Sequence, residues 1–205
     1  IAVVGGRYTV RGTDRLMTLA EISEAARVSA NLPNGMEAGL DTRAVGKVAD
    51  PTFPNGCQIC ELEVDPETGA VEILRYCDVG EFGRVLNPMI VEGQIHGGIA
   101  QGVGQALMED CRYDPDSGQL LSASFMDYTL PRADDLPNFD TATKEILCTT
   151  NPLGIKGAGE AGTIGALAAV MNALMDALAP LGVRHIDMPA TPETVWRAIR
   201  DARQI

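Results

Sequence analysis

The sequence predicts an α+β fold, a mixed sheet and β-hairpins packed with helices, and three observations predict it. Cys60–Asp65 alternates apolar and acidic residues, turns through Asp65-Pro66-Glu67-Thr68-Gly69 and returns along Val71–Tyr76, the pattern of a β-hairpin. Ala161–Leu178 is apolar on nearly every side, the composition of a buried helix. Thr191-Pro192-Glu193 opens a last helix whose Val195, Trp196 and Ile199 share one stripe. At 205 residues, 45% of them apolar, the chain is long enough for one sizeable core. We read 1–205 as a single domain with the Ala161–Leu178 helix at its centre.

Taken in order, Arg7–Arg11 has the character of a short strand. Thr18 then opens a helix, because Glu21 three residues on completes a capping box. Pro33-Asn34-Gly35 and Pro54-Asn55-Gly56 are turns, with a strand expected over Thr42–Ala49 between them. Asn87-Pro88 places an N-cap before a proline at the first helical position. The helix it starts, Met89–Met108, carries Gly93, Gly97, Gly98, Gly102 and Gly104. Each glycine costs a helix about 1 kcal/mol against alanine, so the segment is two short helices or one packed very closely. Asp114-Pro115-Asp116-Ser117-Gly118 repeats the hairpin turn; its spacing does not fit a calcium loop. Pro131–Phe139 is a loop with an acidic turn, and Lys144–Thr149 is expected as a strand.

Charge narrows the functions. The net charge is −12 with no run of Lys or Arg, which excludes nucleic acid and anionic membranes as expected partners. No apolar run has the character of a membrane span. The five cysteines are odd in number and scattered, as in a cytoplasmic protein with reduced thiols. Cys57-Gln-Ile-Cys60 is not read as a zinc site, since odd spacing on a strand sends the two thiols to opposite faces. Opening at Ile1, without an initiator methionine, is expected of a fragment of a longer polypeptide.

The segment Asn151–Gly165, N-P-L-G-I-K-G-A-G-E-A-G-T-I-G, holds five glycines, one cation (Lys156) and one anion (Glu160) just before the apolar helix. Backbone amides and one carboxylate are thereby presented to another body. Three readings compete. Gly157–Gly162 matches G-x-G-x-x-G, a dinucleotide motif, although Glu160 would stand where a pyrophosphate sits. Structurally, the glycines are close packing and Glu160 a carboxylate favoured by the helix dipole. Functionally, they line a cofactor.

Two segments together resemble a known family. Asn87–Gly102, reading N-P-M-I-V-E-G-Q-I-H-G-G-I-A-Q-G, and Gly154-Ile155-Lys156-Gly157-Ala158-Gly159-Glu160 look like the N-P-x-x-x-x-G-Q-x-x-G-G-x-x-Q-G and G-x-K-G-x-G-E segments of molybdenum hydroxylase large subunits: xanthine dehydrogenase, aldehyde oxidase and carbon monoxide dehydrogenase. Ser124–Tyr128, Leu130-Pro131 and Val10–Asp14 also match. The family commonly has an acid-x-G turn before the asparagine; Asp78–Gly83 is a longer or shifted version here.

The resemblance implies the C-terminal half of a molybdopterin-binding region. It implies an oxidoreductase that inserts water-derived oxygen into a C–H bond of an aldehyde or N-heterocycle, or oxidises carbon monoxide. Glu160 would be the general base beside molybdenum. Lys156, Gly157, Ala158 and Gly159 would lie along the molybdopterin, in its cytosine dinucleotide form, and Gln94 would bond it. No metal ligand is assigned to a side chain of this chain, and Gln101 and His96 are read as structural. Expected partners are the rest of the large subunit, iron–sulfur and flavin (FAD) domains or subunits, a small-molecule substrate, and a second copy of the chain. The isolated fragment is expected to lack the cofactor and activity. A non-catalytic binding or assembly domain on the same scaffold is the alternative.

Overall fold

Gly5-Gly6, both at positive φ, make the two-residue turn between β1 (Ala2–Val4) and β2 (Arg7–Thr9). Positive φ at both central positions suits the twist of a tight hairpin. β3 (Leu16–Thr18) pairs antiparallel on the other side of β2, with Arg7 opposite Thr18. Thr18 caps α1 (Leu19–Ala26): its hydroxyl accepts from the Glu21 N–H at 3.3 Å, and its own N–H donates to the Glu21 carboxylate at 2.7 Å.

The computed structural model describes residues 1–46 and 50–203, and the chain divides into two compact units, 1–47 and 48–205. Among the described residues of the first unit only Ala26 is buried, while Val3, Val4, Leu16, Met17 and Leu19 are exposed. The expected strand over Thr42–Ala49 is irregular through residue 46; its remainder lies outside the described residues.

The second unit holds the main core and is α+β. β4 (Asn55–Val64) and β5 (Val71–Glu81) form the predicted antiparallel hairpin, with a bulge at Glu61/Leu62. Asp65 organises its turn, accepting from the Glu67 N–H and the Thr68 hydroxyl. β6 (Phe139–Thr143) joins β5 in parallel, Tyr76 opposite Phe139. This strand lies upstream of the predicted one: Lys144 still donates to Gly80 O, but the chain beyond it is irregular. The second predicted hairpin reduces to a single bridge, Tyr113 to Leu120. Cys57 is exposed while Cys60 packs toward the core, so the two thiols face apart, and burial pushes the Cys60 thiol up to about 11.

α2 (Pro88–Leu107) is one continuous helix, capped by Asn87. Its glycines are explained by α3 (Ala161–Leu178), which crosses it at backbone contact. A Cβ at Gly98 would meet the Thr163 nitrogen at 2.9 Å, and one at Gly162 would meet the Ile95 carbonyl oxygen at 2.6 Å. Ile95, Ile99 and Val103 of α2 share the core with Ala166, Val170, Leu174 and Leu178 of α3. Val195 and Ile199 of α4 (Pro192–Ala202) close it, and Thr191 caps that helix as expected.

α3 departs from expectation in one respect. It is not buried all round: Ile164, Ala168, Asn172 and Asp176 form an exposed stripe. Its flanks lie on α2 and β4, and no third element among the described residues covers the remaining side. By length and composition Ala161–Leu181, 21 residues of mean hydropathy 1.6, is apolar enough to cross a membrane, contrary to the expectation that no segment has that character. In this fold its fully buried stripe is part of the core.

Candidate functional site

The glycine segment is laced to the longer loop that the sequence marked as unusual. Gly154 O accepts the Arg84 N–H at 2.8 Å, and the Lys156 N–H donates to Phe82 O at 2.9 Å. The two strips approach so closely that a Cβ at Gly83, whose φ is +65°, would lie 2.2 Å from Gly154 O. Only glycine satisfies both that backbone conformation and that approach. Asn151 closes the turn from inside, accepting the Ile155 N–H at 3.1 Å and donating to Ile155 O at 2.9 Å.

Beneath this lacing is a buried ion pair. The Lys156 ammonium donates to the Glu81 carboxylate, and both side chains are nearly inaccessible. Burial alone would push the Glu81 carboxyl up. The Lys156 ammonium, the Gly83 N–H at 2.7 Å and the Asn55 amide at 3.2 Å outweigh it and hold the group below the ordinary carboxylate range. The Lys156 N–H and one donor of its ammonium are therefore engaged within the protein, and the residue anchors the loop. Sequence reasoning missed Glu81 and Asn151. Glu81 had one visible signal: it is an acid beside the glycine turn at Gly83, at the end of a strand.

From Gly157 onward the segment opens. A Cβ at Gly157 would meet nothing within 4 Å, and its N–H reaches the Thr52 hydroxyl only at 3.4 Å. At Gly159 the one neighbour is the Gln94 amide oxygen, 3.6 Å from where a Cβ would be. Two distant candidates, Gln94 in α2 and Gly159, are thus brought side by side, and Ala158 packs its methyl toward the core. Glu160 follows as the N-cap of α3 and is exposed. The other three α-helices are capped by their N-cap side chains: Thr18, Asn87 and Thr191 each accept a backbone N–H. Glu160 makes no such bond. Its carboxylate is not used by the helix it begins.

The remaining candidates are structural. His96 packs edge-on against Phe139 at 5.3 Å, and Gln101 lies 3.3 Å from the Thr163 hydroxyl. The dinucleotide reading loses its frame. No strand leads into Gly157, and Gly162, the last glycine of that motif, is jammed against α2. Among the described residues no three His, Cys, Asp or Glu side chains gather into a metal-binding group. One buried acid stays unexplained by the loop: Asp78 on β5, opposite Gln58, is 3% exposed, its Oδ2 lacks a partner among the described residues, and burial pushes its carboxyl up, more than the Gln58 side chain beside it lowers it.

The chain is similar to known proteins. The family model of the molybdopterin cofactor-binding domain matches residues 1–137. The 6-hydroxypseudooxynicotine dehydrogenase complex subunit gamma of Paenarthrobacter nicotinovorans is 40% identical over 96% of this chain and 25% of its own length. The carbon monoxide dehydrogenase large chain of Hydrogenophaga pseudoflava is 34% identical over 95% of this chain and 24% of its own. The crystal structure of quinoline 2-oxidoreductase from Pseudomonas putida 86 superposes with a TM-score of 0.87 at 40% identity, covering 96% of this chain and 25% of that one. The chain thus spans about a quarter of the length of the relatives it matches.

Proposed function

The chain belongs to the molybdopterin cofactor-binding family of molybdenum hydroxylase large subunits, and from that premise we propose that residues 1–205 form one wall of the cofactor site in a longer catalytic polypeptide. The residues present fit such a group. Gly157 and Gly159 leave backbone uncovered, the Gln94 amide is exposed beside them, and Glu160 adds an unused carboxylate at a helix N-terminus. When bound, the molybdenum cofactor supplies the redox centre that takes the two electrons of substrate oxidation.

In this reading Gly157, Ala158 and Gly159 line the cofactor through their backbone, and the Gln94 amide bonds it. Lys156 holds the loop to Glu81. Glu160 is the general base: its carboxylate removes a proton from the attacking oxygen. The uncapped state of α3 is the observation that carries this assignment. A carboxylate kept for helix stability would accept the first-turn N–H groups, as the other N-caps do. Of the substrate classes weighed, we favour an N-heterocycle, since two proteins at 40% identity are named for a nicotine derivative and quinoline and the one at 34% for carbon monoxide. The cytosine dinucleotide form of the cofactor, iron–sulfur and flavin partners, and a cytoplasmic location belong to the same proposal.

Glu160→Gln in the full-length enzyme tests it, with molybdenum content measured on the same preparation. A base predicts a folded, loaded enzyme whose kcat and kcat/KM both fall by about 10²–10⁴-fold. Turnover within threefold of the parent sinks the assignment.

A further inference from the structure

We infer that Gln58 on β4 is a positioning residue: its side-chain amide grips the first turn of α3 and so sets where the Glu160 carboxylate stands. The inference rests on the reading of Glu160 as the base. Gln58 Nε2 donates to Ala161 O at 3.3 Å and to Gly162 O at 3.2 Å, the two residues directly after Glu160. Its Oε1 accepts the Tyr76 hydroxyl at 2.6 Å. Tyr76 is fully buried and stacks edge-on against Phe139 at 5.7 Å, so the hydroxyl is fixed in place. The two carbonyls dictate which end of the amide faces which way, because they can only accept. Turned over, the amide would set its oxygen against two carbonyl oxygens and leave them without a lateral donor.

α3 is shaped around this contact. A Cβ at Gly165 would lie 2.5 Å from Gln58 Cδ and 2.6 Å from its Oε1, so the helix rests directly on the amide. The Ala161 and Gly162 carbonyls bond within the helix along its axis, and a carbonyl has a second lone pair for a lateral donor. On the opposite side the Thr163 hydroxyl donates to Gly98 O of α2 at 3.0 Å. The first turn is therefore tied laterally to the sheet and to the neighbouring helix. Glu160 needs this, because its own side chain makes no capping bond. Close packing on α2 holds the body of α3, and the hydrogen bonds to named carbonyls further fix the register of its first turn. Misplacing a reacting group by about 1 Å can cost about 10²-fold in rate, so a partial loosening is enough to register.

The test uses the full-length, molybdenum-loaded enzyme with Gln58→Met, which keeps length and apolar packing but removes the donor. Amide hydrogen exchange should quicken by about tenfold in the peptide covering Gly157–Ala166 and stay unchanged in α4 and the β4–β5 turn. kcat should fall by about tenfold with KM within twofold. Tyr76→Phe removes one hydroxyl, leaves the buried ring, and should move both readouts in the same direction by less. Adding Gln58→Met to Glu160→Gln should cost no further turnover, since the amide acts through the carboxylate, while the exchange change persists. Unchanged exchange at Gly157–Ala166, faster exchange throughout the unit, or an equal loss of kcat in the Glu160→Gln background would each overturn the inference. If Glu160→Gln alone leaves turnover intact, the base reading fails first and is recognised separately.

Discussion

Two halves of one glycine segment do opposite work. From Gly157 to Glu160 the backbone is open, with nothing within 4 Å of a Cβ placed at Gly157 and only the Gln94 amide near one at Gly159. From Gly162 onward the same residue type marks close packing, where added Cβ atoms would fall 2.6 Å from the Ile95 carbonyl oxygen and 2.5 Å from Gln58. Glycine is thus chosen twice for lack of a side chain. In the first half the space is left free; in the second it is filled by protein. A cofactor wall needs both: an accessible surface, and a rigid body behind it that cannot yield when the surface is loaded.

The comparison can be broken at three points on the rigid side and the open side. The largest effect is expected at the anchor just ahead of the open half, Lys156 on Glu81. Glu81→Gln leaves the Lys156 ammonium buried without its counter-charge and should destabilise the protein by about 3–5 kcal/mol, read from urea unfolding. The same pair sets a pH signature. Because the folded Glu81 carboxyl is held below its ordinary value, its contribution is present above about pH 4.5 and is lost as pH falls through the lowered folded value. The acid-side slope of stability against pH should flatten in Glu81→Gln. A variant as stable as the parent, with an unchanged slope, removes the anchor from the account.

Next in size is Gly162→Ala. The clash is with backbone atoms of α2, which cannot rotate aside, so a cost of about 1–3 kcal/mol is expected, measured by the same unfolding. The smallest effect on stability is expected from Gly157→Ala, within about 0.5 kcal/mol, since the new methyl meets no protein atom. Its consequence should fall on the cofactor instead: molybdenum content of the purified full-length enzyme should drop while the unfolding curve stays put. Were Gly157→Ala to unfold the protein and Gly162→Ala to leave it unaffected, the division into open and closed halves would be reversed.

Much of this was legible in the chain. The β4–β5 hairpin, the three side-chain caps at Thr18, Asn87 and Thr191, and the buried stripe of α4 follow from local chemistry and periodicity. So do the family segments around Gln94 and Glu160. These features depend on residues a few positions apart, and such spacings are written directly in sequence. β6 was placed one segment too late for the opposite reason. Phe-Asp-Thr-Ala-Thr carries strand-favouring residues but is short and follows a loop with two prolines, and it is a strand because β5 offers a parallel edge more than fifty residues away in sequence.

The sequence by itself determined which residues are exceptional: a run of glycines, one acid and one cation, ahead of an apolar helix. Only the tertiary structure decided what each does. Lys156 turns inward because Glu81 waits there in a pocket where an unpaired charge would be costly. Gly162 and Gly165 are consumed by α2 and Gln58 because a crossing at backbone distance excludes any Cβ. Gly157, Gly159, Gln94 and Glu160 stay uncovered because no described element of this unit reaches them. Pairing across such sequence distances depends on where whole elements pack, and packing is settled by the summed burial of the core rather than by any local pattern.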